Sequence, residues 1–264
     1  MTVARFAGKT VVLSGGGRGI GEATARRFAA EGADVLLVAR TAAELEAVAA
    51  DIVAGGGKAW ARAADVSDPD AIDATVQAAR ERWERIDVLV NCAGIDHDAP
   101  FLDFPQEAWQ RVLAVNLTGA FIMAQRVARV MAASGGGSIV HVSSIYAYGA
   151  DGSQVAYNSS KAGMLGLSRT MAMELARFGI RSNVVAPGYT ATPLTRQYVG
   201  DAVYGYMAKD FDRIPQRRMA TPEEIAAAIV FLASDDAGAI TGSELVVDGG
   251  TISNLYIVET LPAE

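Results

Sequence analysis

Cysteine is almost missing from this 264-residue chain, where Cys92 stands alone. Without a second thiol no disulfide forms within the chain, which excludes the small cysteine-stapled secreted scaffolds. Histidine is nearly as scarce, with His97 and His141 the two examples. Two histidines and one cysteine, without carboxylates at ligand spacing, do not make a zinc site, so no metal centre is expected. Basic residues are in the minority, 23 Lys and Arg against 30 Asp and Glu, for a net charge of −7. A surface that neutralises phosphates needs the opposite balance, so nucleic acid is not an expected partner. No apolar run approaches the roughly 20 residues that cross a bilayer, so no membrane partner is expected either. Residues 1–9 lack the basic-then-apolar pattern of a leader peptide, and a cytoplasmic location is the expectation.

What is present points to a packed enzyme-sized domain. Hydrophobic residues make up 51% of the chain, enough to offset the entropy of ordering it. Glycine is in excess, with 27 residues against the roughly 7% of an average protein, and the glycines are unevenly placed. Short apolar runs near residues 10–14, 34–39, 58–63, 86–91, 138–143, 181–186 and 244–247 read as strands. Helical-period segments lie between them near 20–31, 42–54, 69–83, 105–133, 155–178 and 222–234. Thr221 and Pro222 have the residue types of an N-cap and a first helical position. Strands apolar on both faces, alternating with helices, predict an α/β fold: one Rossmann-type doubly wound domain over residues 1–264, with a seven-stranded parallel sheet and helices on both faces. Residues 188–216 read as a long irregular stretch, a candidate lid carrying Tyr189, Tyr198, Tyr204, Tyr206, Met207 and Phe211. An alternative reading makes the same aromatics a subunit contact.

Gly15, Gly16, Gly17, Gly19 and Gly21 fall within seven residues. On composition alone this is a flexible turn or a phosphate loop. Its place after the first strand and at the start of a helix selects the phosphate loop, because glycines permit close backbone approach and a helix start presents free N–H groups. The second strand ends at Ala39-Arg40 without an acidic residue to take ribose hydroxyls. Arg40 and Arg18 are candidates for a 2′-phosphate, so NADP(H) is favoured, with NAD(H) the alternative. The bland reading of both is solvated surface arginine. Gly55–57 and 135–137 read as connector turns, and substitutions at 55–57 are expected to be mostly tolerated.

Tyr157 and Lys161, four apart in a helical segment, share one helix face. Ser143 and Ser144 end one strand, and Asn91, Cys92, Ala93 and Gly94 end another, at the sheet edge where such folds bind ligands. Together with Gly15, Gly19, Ile20 and Gly21, with Asp65 and Val66, with Asn116, and with Pro187 and Gly188, this ordered set resembles the short-chain dehydrogenase/reductase family in its single-domain branch. The 3-oxoacyl-carrier-protein reductases are the nearest general likeness, and sugar, steroid and secondary-alcohol oxidoreductases share the motifs.

The resemblance implies an NAD(P)-dependent oxidoreductase that moves hydride between nicotinamide and a carbonyl/secondary-alcohol pair. It implies Tyr157 as general acid/base, Lys161 lowering its pKa and binding ribose, Ser144 polarising the substrate oxygen, and Asn116 holding a relay water. It implies a cofactor cleft formed by Gly15, Gly17, Arg18, Gly19, Ile20, Gly21, Arg40, Asp65, Val66, Asn91, Ala93, Gly94, Pro187, Gly188, Thr190 and Thr192. Substrate contacts are expected from Ser144, Ile145, Tyr146, His97 and Tyr189, with Asp96 and Tyr148 nearby; His97 reads equally as a solvated loop residue. Cys92 and His141 read as packing residues. A homodimer or homotetramer is expected, with the apolar tail 251–264 docked on a neighbouring subunit. The competing class is a non-catalytic dinucleotide sensor or scaffold, which has no use for the Asn116, Ser144, Tyr157, Lys161 set.

Overall fold

The computed structural model describes residues 4–150 and 152–254. The first half runs β1 (Thr10–Ser14), α1 (Gly19–Ala30), β2 (Asp34–Ala39), α2 (Ala42–Ala54), β3 (Lys58–Ala63), α3 (Pro69–Arg82) and β4 (Val88–Asn91). The second half runs α4 (Gln106–Leu113), α5 (Gly119–Ala133), β5 (Gly137–Val142), α6 (Val155–Leu175), β6 (Ile180–Pro187), α7 (Pro193–Asp210), α8 (Pro222–Ala233) and β7 (Glu244–Val247). The strands form one parallel seven-stranded sheet, as the sequence predicts, and the structure gives their order as β3-β2-β1-β4-β5-β6-β7.

Alternate residues of each central strand feed opposite layers, which is why the strands read as unbroken apolar runs. Val11, Leu13, Val35 and Leu37 pack with Phe28 of α1, Leu45 of α2 and Ile229 of α8. Val12, Leu36, Val38 and Leu89 pack with Ile72 of α3 and Met123 and Val127 of α5. Each such side chain contributes about 1.5–3 kcal/mol on full burial. The chain winds outward in both directions from the β1/β4 pair, where Ser14 and Asn91 sit in register. That reversal opens a crevice beyond the strand ends, where ligands bind in open α/β sheets.

Three local findings bear on the site. First, residues 188–216 are not irregular: Thr192 caps α7, accepting from Thr195 N–H at 3.2 Å, and Pro193 opens it. Gly200, at φ 74°, breaks this helix, and Met207 is its one buried residue, so no apolar stripe announces it. Second, α4 and α5 are joined by a π-helical turn, Ala114–Thr118, that places Asn116 at full burial. Third, α8 starts with the expected Thr221 cap, completed by Glu224 into a reciprocal capping box. The tail segment from Leu255 onward lies outside the described residues. Among the described residues no helix is long and apolar enough to cross a membrane.

Candidate functional site

Ser14 ties the crevice together. Its Oγ accepts from the N–H groups of Cys92 and Ala93 at 3.2 and 3.3 Å, holding the loop after β1 against the loop after β4. The approach is so close that a Cβ on Gly15, whose φ is +77°, would lie 2.8 Å from the Ala93 nitrogen. A Cβ on Gly21 would lie 2.0 Å from the Gly15 carbonyl oxygen. The glycine spacing therefore records two backbone crossings. No side chain caps the start of α1, where Arg18 is extended. Its first-turn N–H groups open onto the cleft, and this is the donor set that a diphosphate needs.

One cleft gathers nearly all the residues expected to hold a dinucleotide. Arg40, Asp65 and Val66 line one end, with Gly15, Gly17, Arg18, Gly19, Ile20, Ala93 and Gly94 in the middle. Tyr157, Lys161, Pro187, Gly188, Thr190 and Thr192 line the other end. Two expected residues do not line it. The Asn91 amide turns inward, donating to Ala120 O at 3.1 Å and meeting His141 Nδ1 at 3.3 Å. Gly21 lies beneath the loop at the crossing just described. The sequence reading missed Thr41 and Glu44, which also line the cleft. Glu44 lies in the first turn of α2, whose cap is Thr41, and Arg40 precedes that helix. Neither Arg18 nor Arg40 makes an ion pair among the described residues, and both are exposed.

Asp65 is fixed rather than free. Burial alone would push its carboxyl up, but hydrogen bonds from Arg111 at 2.8 Å and from Ser67 outweigh it and hold it at about 2. Burial likewise pushes the His141 imidazole down to about 4, keeping it a neutral strand residue as expected.

The β5 and α6 residues converge at the cleft's far end. Ser143 Oγ donates to the Lys161 carbonyl at 2.8 Å, so this serine is structural. Ser144 instead faces the cleft; its Oγ accepts from Tyr146 N–H at 3.2 Å and hydrogen-bonds Tyr157. Lys161 Nζ donates to Val142 O at 2.8 Å and lies 5.3 Å from the Tyr157 ring centre. Burial lowers the Lys161 ammonium to about 8. Burial pushes the Tyr157 phenol well above its usual range, the Asp96 carboxylate adds to the rise, and only the Ser144 hydrogen bond opposes it. The expectation that Lys161 would lower this phenol is therefore not met: desolvation dominates and Tyr157 is held protonated. The Asn116 amide brackets Ile95, accepting from its N–H and donating to its carbonyl, both at 2.9 Å, and donates to Ser160 Oγ at 3.0 Å. It anchors the loop after β4.

A second pocket adjoins the first, lined by Ser144, Tyr157, Ile145, Tyr146, Tyr189 and Asp96 of the substrate-side residues named from the sequence, and by Gln154, Leu194, Thr195, Tyr198 and Val199. Four of these come from α7, whose helical phase the sequence did not show. His97 is not in this wall; its ring packs edge-on against Phe104 at 5.4 Å. Tyr148 is also elsewhere, donating to Glu244 at 2.8 Å. Met207, Phe211, Ile214 and Met219 form a small core behind Tyr189, so the aromatic stretch both lines the pocket and supports it. Among the described residues no group of three or more His, Cys, Asp or Glu could hold a metal.

Comparison with known proteins agrees with this geometry. The family model described as Enoyl-(Acyl carrier protein) reductase matches residues 15–251. A 3-oxoacyl-[acyl-carrier-protein] reductase of Synechocystis is 38% identical over 246 residues, covering 92% of this chain and 97% of that protein. The L-rhamnose 1-dehydrogenase (NAD(P)(+)) of Azotobacter vinelandii is 41% identical over 252 residues, covering 94% and 98%. The crystal structure of a short-chain type dehydrogenase/reductase from Mycobacterium marinum superposes with a TM-score of 0.89 at 35% identity, covering 96% and 98%. Matched along almost its whole length in both sequence and structure, the chain belongs to the short-chain dehydrogenase/reductase family and is an NAD(P)-dependent oxidoreductase.

Proposed function

We propose that this enzyme interconverts a carbonyl and a secondary alcohol with Tyr157 as general acid/base. The observation that carries the reading is that Ser144 and Tyr157 line both pockets, so the same two hydroxyls meet cofactor and substrate. A bound nicotinamide dinucleotide would supply or accept the hydride. In the reducing direction the protonated Tyr157 phenol gives its proton to the substrate oxygen, and Ser144 donates a hydrogen bond to that oxygen as charge develops. Ser144 stabilises the phenolate left behind, and Lys161, lowered to about 8 and mostly cationic near neutrality, would bind the nicotinamide ribose. Asn116 fixes the loop that carries Gly94 and Asp96, and would hold a water that relays protons toward Lys161. Thr190, Thr192 and Gly188 hold the nicotinamide end, and Asp65 and Val66 the adenine.

NADP(H) is the preferred cofactor in this reading, because Arg18 and Arg40, which make no ion pair among the described residues, outnumber Glu44; the cleft's other carboxylate, Asp65, is held by Arg111. Titration of both cofactors tests this; tighter binding of NADH than NADPH overturns it. A homodimer or homotetramer in the cytoplasm completes the reading. Exposed Phe121 and Met173, on α5 and α6, support the assembly, and light scattering showing a monomer removes it. The Tyr157→Phe variant is expected to lose about 10²–10⁴-fold in kcat while NADPH still quenches or shifts protein fluorescence. Near-normal turnover in that variant overturns the general-acid role.

A further inference from the structure

Asp65 lines the cofactor cleft, but the two residues that hold it stand behind it and do not. Arg111, in the last turn of α4, donates from one terminal nitrogen to Asp65 Oδ2 at 2.8 Å and from the other to Ser67 Oγ at 2.6 Å. Ser67 in turn donates to Asp65 Oδ1, from its backbone N–H at 2.9 Å and from its hydroxyl at 2.7 Å. Oδ1 therefore has both acceptor positions filled, while Oδ2 has one donor and keeps one position. The neighbouring residue is seated just as firmly. Val66 sets its carbonyl against the first residue of α5, where a Cβ on Gly119 would lie 2.3 Å from that oxygen. Helices α4 and α5 thus support Asp65 and Val66 from the side away from the cleft.

Stability does not account for the Arg111 fork. Its side chain is 41% exposed and that of Asp65 33%, and ion pairs so solvated add little to folding. What the fork fixes is direction. Ser67 alone would pin one carboxylate oxygen and leave the other to turn; with Arg111 both oxygens are held and the plane is set. Asp65 is also kept ionised, at about 2, so it accepts hydrogen bonds and does not donate them. An aimed, ionised acceptor tells one purine from another. The 6-amino group of adenine donates to it, whereas the 6-oxo group of hypoxanthine turns lone pairs toward it. A site built to bond a ligand's donor rejects the analogue that lacks it, and the rejection weakens when the acceptor is free to turn away.

We propose that Arg111 is a positioning residue for the cofactor's base: by fixing the Asp65 carboxylate it makes the cleft select adenine through the 6-amino group. This rests on the reading above that Asp65 meets the adenine of a bound dinucleotide. The experiment is fluorescence titration of the full-length protein, which needs no turnover. It measures dissociation constants of NADPH, NADH and their hypoxanthine counterparts for the wild type, Arg111→Met and Arg111→Lys. The wild type is expected to bind the adenine forms at least about tenfold more tightly than the hypoxanthine forms, with or without the 2′-phosphate. In Arg111→Met that ratio is expected to fall by about fivefold, chiefly through weaker binding of the adenine forms. Arg111→Lys is expected to lose it too, because an ammonium lacks the planar fork that spans Ser67 and Asp65. An arginine with only a structural role would weaken both bases equally, so an unchanged ratio in the variants overturns the proposal and leaves adenine at Asp65. A ratio that rises overturns it as well, since Arg111 would then compete with the base for Oδ2. Should Arg111→Met not fold, Arg111→Lys decides. A wild type that binds both bases equally overturns the proposal together with the placing of adenine at Asp65.

Discussion

Tyr157 lies half-buried between Ser144, which stabilises its anion, and Asp96, which opposes it. A protonated phenol suits reduction, where the proton must be given up; oxidation needs the phenolate. Asp96 itself is raised by burial to about 6, so it carries its charge at neutral pH and keeps Tyr157 protonated there. Removing that charge in Asp96→Asn is expected to lower the Tyr157 pKa by up to about one unit. The rising limb of kcat against pH in the oxidation direction then moves to lower pH. A limb that does not move, measured with a monohydroxy alcohol to limit changes in substrate binding, removes Asp96 from the electrostatics of Tyr157. The Tyr157/Lys161 pair is visible in the sequence because four-residue spacing puts both on one helix face. The control by Asp96 is not visible, because it comes from burial between the loop after β4 and the start of α6.

At the scale of the element, the loop from β1 to α1 shows why equal glycines are unequal. Gly15 and Gly21 each face backbone at distances a Cβ cannot occupy. Gly15→Ala and Gly21→Ala are therefore expected to weaken NADPH binding at least about tenfold by fluorescence titration and to lower the melting temperature. Gly55→Ala is the matched control, since its Cβ would meet only ordinary contacts at 3.5 Å. Equal loss in all three would show that the loop geometry is not what matters. The tolerance expected across the whole Gly55–57 turn does not hold: Gly56 sits at φ +84°, and a Cβ on Gly57 would lie 2.9 Å from Ile52 Cγ2. Composition locates a glycine turn but not which member crosses another chain segment. Helix α7 escaped the sequence for a related reason: it covers a pocket rather than a core, so periodicity is silent where function is concentrated.

For the whole molecule, the count of seven strands was legible because the central strands, buried on both faces, leave unbroken apolar runs, and the cleft followed from where the strands end; their order comes from the structure. What the sequence could not show is how buried charges balance across the fold. His141 is depressed from 6.5 to about 4, so its contribution to stability is present above pH 6.5 and lost as pH falls toward 4. Asp96 is raised from 3.8 to about 6, so the folded state is penalised above pH 6 and relieved as pH falls toward 4. The two shifts are similar in size, opposite in sign and share one window. Asp65 and Glu224 are each held at about 2 by arginine partners, and their contribution is lost only below the ordinary carboxylate range. The wild-type melting temperature is therefore expected to stay nearly flat between pH 6.5 and 4 and to fall steeply below 4. Asp96→Asn should expose the histidine, giving a melting temperature that declines with acid from pH 6.5. His141→Asn should expose the aspartate, giving one that rises over the same interval. Scanning calorimetry of the three proteins across this range checks the balance. Parallel curves would mean that neither group titrates as its burial requires, and a decline in all three would mean that Asp96 is already solvated in the folded enzyme.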